Sequence, residues 1–513
     1  MKVLDRIREK LKLESSSGLK AKGINAAFWS IIGKGSGSFL RLISNIILTS
    51  ILAPEIFGIM STCFVFLTMI QLFSDVGLKP AIIQSKEGDS PEYLNTAWVI
   101  SIIRSFGLFI IVLIAIYPIS IFYQNESLQL ILFCLSFTIL ISGFENPAMP
   151  LLVKNLRADR QVRFELSTEF LGLATNVILA LLLRNIWALV LGSILTSSYK
   201  LIGSYVAISY YPKFTWNKVA AHSLIRFGKF ILLNTMAGWA AMNLDSIFIG
   251  KLLDMEYAGV YNVGKNLGLF VELFFVQIFT QSYFPAVSSV SDDLPRVEKI
   301  YKRTIALAIT ISVTVLSLEM IYSEQIISLL YRKEYNVASI VFFWISLRGI
   351  FRMVSIVQSS TLIALGRPGL ETIAMFVGFT FVALLFPGSV LFSKSILIQF
   401  PYLNDFIKKE SALTLGVMAI CFSGIMISLI ESFYLVLKIN FKLKIIILPW
   451  LHLICLLTGI YCIYKIISLL NIYYWILEAG IVALFSILFS LLIYIGLEGK
   501  NPFENRSGAT KPI

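Results

Sequence analysis

Two basic residues stand inside the first long apolar stretch of the chain. Lys34 and Arg41 belong to "GKGSGSFLR", within a stretch that runs from Ile24 to Leu52. On a helix, their spacing places both cations on one face, about 10 Å apart along the axis. An ionised side chain near the centre of a bilayer costs about 3 kcal/mol, so by default it faces a cavity or a partner. The pair predicts a water-filled cavity that receives an anion. Snorkelling to the interface is the alternative.

The same stretch contains three glycines, Gly33, Gly35 and Gly37. Each lowers helix stability by about 1 kcal/mol relative to alanine. Close helix packing is one explanation. The other is a hinge that lets the wall of the cavity bend during transport.

Two arginines stand one helical turn apart in a later apolar stretch. Arg348 and Arg352 lie in the middle of the predicted helix 336–364. We expect them to face the first two cations across a cleft. An ion pair with Glu272 is the competing explanation.

A fifth cation, Arg104, lies nearer the cytoplasmic end of the predicted helix 97–118, where it lines the cavity or snorkels. The planar guanidinium fork offers paired donors that match phosphate oxygens, so several such groups suit a diphosphate. The predicted substrate-binding residues are Lys34, Arg41, Arg104, Arg348 and Arg352.

Oxygen-bearing side chains form a second candidate site. Asn243 and Asp245 lie in "MNLDSIFIG" within the predicted helix 227–251. In a low-dielectric setting they would hold a proton or Na⁺, and pairing with a neighbouring arginine is the alternative. With Glu272 they make up the predicted ion-coupling residues. The five cysteines and two histidines show no metal-ligand spacing, so we predict no metal site, no cofactor and no catalytic residue.

The composition indicates what positions these residues. Of the 513 residues, 57% are hydrophobic and 14% charged, and apolar runs of about 18 or more recur along most of the chain. This pattern predicts an all-α polytopic membrane protein with about fourteen transmembrane helices. The predicted helices are 25–52, 56–78, 97–118, 128–150, 165–184, 186–210, 227–251, 257–284, 303–323, 336–364, 371–388, 411–437, 444–466 and 473–497.

The net charge of +13 would suggest a nucleic-acid partner in a soluble protein. Here most of the surplus lies in short loops on one side, which is the positive-inside pattern, so we predict no nucleic-acid partner and two cytoplasmic termini. "MKVLDRIREKLKLE" predicts an amphipathic helix on the cytoplasmic leaflet and no signal peptide.

A short frame occurs twice. "LAPEIFG" (52–58) and "LDMEYAG" (253–259) share L-x-x-E-x-x-G, each after the first helix of a six-helix block. Six is an even number, so the blocks would be parallel repeats, two bundles around a central cavity. The predicted divisions are an amphipathic N-terminus (1–22), an N-terminal bundle (23–210), a cytoplasmic linker (211–226), a C-terminal bundle (227–437), helices thirteen and fourteen (438–497) and a cytoplasmic tail (498–513).

Together with "LFSDVGLKPAIIQ" (72–84), the segment "FGKFILLNTMAGWAAMNLDSIFIGKLLDMEYAGVYNVGKNL" and "PAVSSVSDD" (285–293), these frames resemble the polysaccharide transporter family. It belongs to the multidrug/oligosaccharidyl-lipid/polysaccharide exporter superfamily and includes O-antigen, colanic acid and teichuronic acid exporters. The resemblance covers roughly residues 20–440. It implies a flippase that moves undecaprenyl-diphosphate-linked oligosaccharide from the cytoplasmic to the outer leaflet of a bacterial inner membrane.

The resemblance also implies coupling to H⁺ or Na⁺, and partners that include membrane lipids, a polysaccharide polymerase and other assembly proteins. In relatives that flip lipid-linked cell-wall precursor, a basic first helix meets the diphosphate and acidic residues of the seventh helix take part in Na⁺ binding. Lys34, Arg41 and Asp245 are the comparable positions here.

Three alternatives stay open. A polysaccharide polymerase or ligase would have a large external catalytic loop, whereas the longest predicted outer loop, about 389–410, is apolar. A drug/cation antiporter of the same superfamily would have an acidic or aromatic cavity, and the predicted basic lumen argues against it. A structural scaffold would carry its buried charges without a use for them.

Overall fold

The computed structural model describes residues 19–72, 77–155, 157–399, 409–439 and 441–469, together with Val482 and Leu484. Within these ranges the regular secondary structure is helical and no β-strand occurs. The predicted all-α class is therefore confirmed. The predicted amphipathic N-terminal helix, helix 473–497 and the tail 498–513 lie outside the described residues, apart from short overlaps.

The chain divides into two compact units, residues 1–263 and 264–513. The described helices of the first unit are α1 (Leu19–Ile51), α2 (Pro54–Leu72), α3 (Leu78–Gln84), α4 (Pro91–Tyr123), α5 (Ser127–Gly143), α6 (Pro150–Lys154), α7 (Ala158–Leu183), α8 (Trp187–Ala207) and α9 (Lys218–Leu252). Helix α10 (Met255–Ser288) begins in the first unit and continues into the second.

The second unit continues with α11 (Leu294–Ile321), α12 (Ser323–Leu330), a 3₁₀ turn (Lys333–Tyr335), α13 (Ala338–Ala364), α14 (Pro368–Gln399), α15 (Lys409–Leu437) and α16 (Leu443–Leu469). Helix α13 is its most buried element and packs against α11 and α15. The predicted linker at 211–226 remains a prediction. Helix α9, which was predicted to belong to the C-terminal bundle, packs against α2 and α4 of the first unit.

Nine of the described helices are long and apolar enough to cross a membrane, and a tenth apolar helix, Ser127–Gly143, is shorter. The protein is therefore a multi-pass membrane protein. Each of the first thirteen predicted spans corresponds to one described helix, whereas the total of fourteen stays a prediction.

Several helices begin before the apolar residues that predicted them. Helix α4 starts at Pro91, not at residue 97, because the Ser90 hydroxyl accepts a hydrogen bond from the Tyr93 amide at 3.3 Å. Helix α9 starts nine residues earlier than predicted, where Asn217 Oδ1 accepts hydrogen bonds from Val219 N at 2.9 Å and Ala220 N at 3.2 Å. Hydropathy predicts only the lipid-spanning part of a helix, and capping groups extend it into the polar region.

The prediction of one continuous helix over 128–150 is wrong. Helix α5 ends at Gly143, and the short α6 begins only at Pro150. Asn146 holds the connection, since its Nδ2 donates to Ile208 O at 2.8 Å and to Tyr210 O at 3.0 Å. The Asn146 side chain thus bonds to the segment that follows α8, and the chain between α5 and α6 is not helical.

Candidate functional site

The first predicted cation pair lies on α1, which packs along α7. The Arg41 guanidinium donates through Nη1 to Glu169 Oε1 of α7, and through Nη2 to the Ser38 hydroxyl at 3.2 Å. The Arg41 side chain nevertheless stays 64% exposed. The side chain of Lys34 lies outside the described residues. Arg41 is therefore held by one carboxylate while most of its surface remains open.

Two of the three glycines on α1 face α7 at short range. A β carbon at Gly33 would lie 2.4 Å from Val162 Cγ2, and one at Gly37 would lie 2.6 Å from Glu169 Oε2. Both distances are too short for non-bonded atoms, so close packing explains these two glycines. Gly37 is one turn before Arg41 and makes room for the carboxylate that Arg41 binds.

Arg104 lies at the wall of a cavity of about 500 Å³ inside the first unit. Its Nη2 donates to the Gln71 carbonyl at 2.7 Å. Lys79, Glu145 and Glu165 line the same cavity, so the charged side chains there comprise two cations and two carboxylates. Arg104 therefore lines a cavity within the first unit, and its part in substrate binding stays a prediction.

The predicted ion-coupling residues of α9 bond to different groups. Asn243 Nδ2 donates to the Trp239 carbonyl of its own helix at 3.0 Å. Asp245 is 5% exposed; its Oδ1 accepts from Ser246 N at 2.7 Å and its Oδ2 accepts from the Tyr261 hydroxyl of α10. Asp245 thus links α9 to the start of α10, and these bonds alone show no shared ligand site with Asn243.

The second unit contains the ion pair between Arg348 and Glu272, which was the alternative to substrate binding by Arg348. Arg348 Nη2 donates to both carboxylate oxygens of Glu272, at 3.1 Å and 2.9 Å. Glu272 is 2% exposed, so the pair is buried. Arg348 and Glu272, predicted to bind substrate and to couple ions respectively, are partners of each other.

Arg352 also lies among acidic groups. Its Nη1 donates to the Ser355 hydroxyl at 3.3 Å, and its charge acts on Glu371 of α14 and Glu431 of α15. Glu319 of α11, which accepts a hydrogen bond from the Ser346 hydroxyl at 2.8 Å, acts electrostatically on Glu272. This part of the second unit therefore brings four glutamates to two arginines.

The sequence-based predictions missed Glu319, Glu371 and Glu431, and they did not pair Glu169 with Arg41. Glu319 and Glu431 each stand within a long apolar run, "VTVLSLEMI" and "ISLIESFYL". That is the same signal that identified the buried arginines. Glu169 had no such signal, since its partner Arg41 is 128 positions away in the sequence.

Comparisons with known proteins agree with this architecture. The family described as "Polysaccharide biosynthesis protein" matches residues 47–340, more than half of the chain. A protein of Klebsiella pneumoniae described as "Uncharacterized membrane protein in cps region" is 26% identical over 54% of this chain and 58% of its own length. The lipopolysaccharide biosynthesis protein WzxC of Escherichia coli is 23% identical over 68% of this chain and 71% of its own.

Among solved structures, the lipid II flippase MurJ in an inward closed conformation matches with a TM-score of 0.67 and 14% identity. The match covers 92% of this chain and 100% of that one. An inward-facing multidrug resistance MATE family transporter of the MOP superfamily matches with a TM-score of 0.59 and 14% identity, over 79% of this chain and 94% of its own. These likenesses concern the fold.

Proposed function

Since the chain belongs to the polysaccharide biosynthesis protein family, we propose that it is a flippase for lipid-linked oligosaccharide. Its substrate is an oligosaccharide on undecaprenyl diphosphate, which moves from the cytoplasmic to the outer leaflet of the bacterial inner membrane. Both termini lie in the cytoplasm. The names of several relatives and the likeness to a lipid II flippase support this proposal.

One observation carries the proposal: Arg41 is a guanidinium on a helix of a multi-pass membrane protein that remains 64% exposed despite its bond to Glu169. A guanidinium has five donors, and Arg41 uses two of its nitrogens on protein groups. Its exposed surface suits a phosphate group. Lys34 stands two turns earlier on the same face of α1. Arg104 is the next cation that we assign to the substrate.

Arg348 and Arg352 take a different part in the proposed mechanism. The Arg348 guanidinium is bonded to Glu272, and Arg352 lies within electrostatic reach of Glu371 and Glu431. Arg348 would bind the diphosphate only by exchanging the Glu272 carboxylate for it. We propose alternating access, in which the polyprenyl tail stays in lipid while the charged headgroup crosses, and the chain performs no bond-making chemistry.

A drug/cation antiporter is the second candidate, and the glutamates of the second unit favour it. Four carboxyl groups around two guanidinium groups suit a cationic substrate better than an anionic one. The likeness to a multidrug resistance transporter is consistent with this alternative in fold.

Reconstituted protein distinguishes the two candidates. Proteoliposomes would carry either a synthetic polyprenyl-diphosphate oligosaccharide, whose glycan is detected at the opposite leaflet, or a fluorescent organic cation. The flippase proposal expects glycan translocation and no cation uptake under proton, sodium or voltage gradients. Cation uptake without glycan translocation would support the antiporter.

A further inference from the structure

A carboxyl group buried in the second unit makes no hydrogen bond of normal length and angle among the described residues. Glu431 of α15 is fully buried, and neither carboxylate oxygen has a donor at hydrogen-bond geometry in the described part of the chain, although the Ser355 hydroxyl of α13 lies close enough to act on it. Buried carboxylates are normally hydrogen-bonded or paired, because an isolated charge in an apolar interior is strongly destabilising. Glu431 therefore needs a compensating ligand.

The groups that act on Glu431 come from the helices packed around α15. Arg352 of α13 attracts its negative form, whereas Glu371 of α14 repels it. Tyr301 of α11 is fully buried and also within electrostatic reach. On α16, the neutral Trp450 indole donates to Ser432, the residue next to Glu431, at 3.1 Å. His452 of α16 is buried as well.

One guanidinium thus faces two carboxyl groups. If both glutamates were ionised, Arg352 would neutralise only one and leave a negative charge in the interior. Arg348 does not resolve this imbalance, because it is bonded to Glu272. A protonated Glu431 removes the excess charge and leaves Arg352 to balance Glu371, which lies within its electrostatic reach.

We infer that Glu431, Arg352 and Glu371 form a proton-binding site in the second unit, with the proton on Glu431. The nearby guanidinium repels Na⁺, and Na⁺ would also require several oxygen ligands that this carboxyl group alone does not supply. Release of the proton converts the carboxylic acid to a carboxylate, which then competes with Glu371 for Arg352. That the proton drives translocation is a further step that rests on the proposed flippase function.

Infrared spectroscopy of the purified full-length protein tests the site without any substrate. A protonated carboxyl group absorbs at a higher frequency than a carboxylate, and Glu431→Gln should remove one component of that band. Glu410→Gln is the matched control, since Glu410 lies in the first turn of the same helix. The control should keep the component, and Glu431→Asp should shift it.

An identical carboxylic-acid band in the wild type and in both Glu431 variants would overturn the inference. Loss of the component when NaCl replaces choline chloride would also overturn it, in favour of a sodium site. If the component is assigned to Glu431 while the wild type translocates no glycan, the proton site stands and the flippase proposal fails. In a translocating protein, Glu431→Gln should lose the acceleration that a pH gradient gives the wild type.

Discussion

Gly58 of α2 and Gly259 of α10 face each other so closely that neither position has room for a β carbon. A β carbon on Gly58 would lie 1.7 Å from the Met255 carbonyl oxygen, and one on Gly259 would lie 1.9 Å from the Pro54 carbonyl oxygen. Each would also lie 3.0 Å from the backbone nitrogen of the other glycine. The two glycines end the repeated L-x-x-E-x-x-G frames, so the copies of the frame pack against each other reciprocally.

Alanine at either glycine should separate α2 from α10. The clash is with backbone atoms, which cannot rotate away, so we expect Gly58→Ala and Gly259→Ala each to lower the free energy of unfolding by at least about 1–3 kcal/mol. Gly107→Ala on α4 is the control, because its β carbon would meet no atom within 4 Å. Denaturant unfolding in detergent measures all three. Equal stability of Gly58→Ala and the control would contradict the contact.

Gly37→Ala should disturb the Arg41 site through Glu169. The added methyl group would overlap Glu169 Oε2 and displace the carboxylate from Arg41. We expect a loss of at most about 1 kcal/mol in unfolding free energy, because the carboxylate ends a flexible side chain that can move and the exposed bridge it leaves is worth about 0–1 kcal/mol. The same substitution in a Glu169→Ala background should cost little, since the overlapping atoms are gone. An equal loss in both backgrounds would place the clash elsewhere.

The Arg41–Glu169 bridge itself should contribute little to stability. Arg41 is mostly exposed, and such pairs are worth about 0–1 kcal/mol. A double-mutant cycle of Arg41→Ala and Glu169→Ala measures the coupling energy. A coupling well above this range would mean that the bridge is a structural element and not a holder for an available guanidinium.

The buried Arg348–Glu272 pair should behave in the opposite way. Glu272→Gln removes the carboxylate charge opposite a guanidinium in the interior, and we expect a loss of about 3–5 kcal/mol. The double variant Glu272→Leu/Arg348→Met should regain most of that stability. Glu334→Gln, which breaks the exposed pair with Arg332, is the control and should shift stability by about 0–1 kcal/mol.

Hydropathy predicted where the described spans lie, because a chain that crosses lipid must satisfy its backbone inside helices. The described helix Ala338–Ala364 begins two residues after its predicted start and ends at its predicted end. Helix α9 began much earlier than predicted, because Asn217 caps it outside the apolar run. Such a start depends on a side-chain hydrogen bond that the apolar pattern does not contain.

The buried cations were found by their type, but only one of their partners was predicted. Arg348 and Glu272 were paired in the competing explanation, since both stand in apolar runs. Arg41 was expected to line the cavity or to snorkel, and its pairing with Glu169 was not predicted, because Glu169 lies on a helix that contacts α1 only in the folded chain. Partners that are distant in sequence follow from the packing of helices, which the pattern of a single helix does not specify.

Translocation of a polyprenyl-diphosphate oligosaccharide by Arg41→Ala protein in proteoliposomes is the most direct test of the central claim. Arg163→Ala is the matched control, because Arg163 is 69% exposed and bonds to a carboxylate, that of Asp159, as Arg41 does to Glu169. We predict that Arg41→Ala folds normally but translocates at least about tenfold more slowly, the effect of losing one charge-assisted contact of about 1.5–3 kcal/mol. Arg163→Ala should match the wild type. Wild-type translocation by Arg41→Ala would contradict the claim that this guanidinium binds the diphosphate.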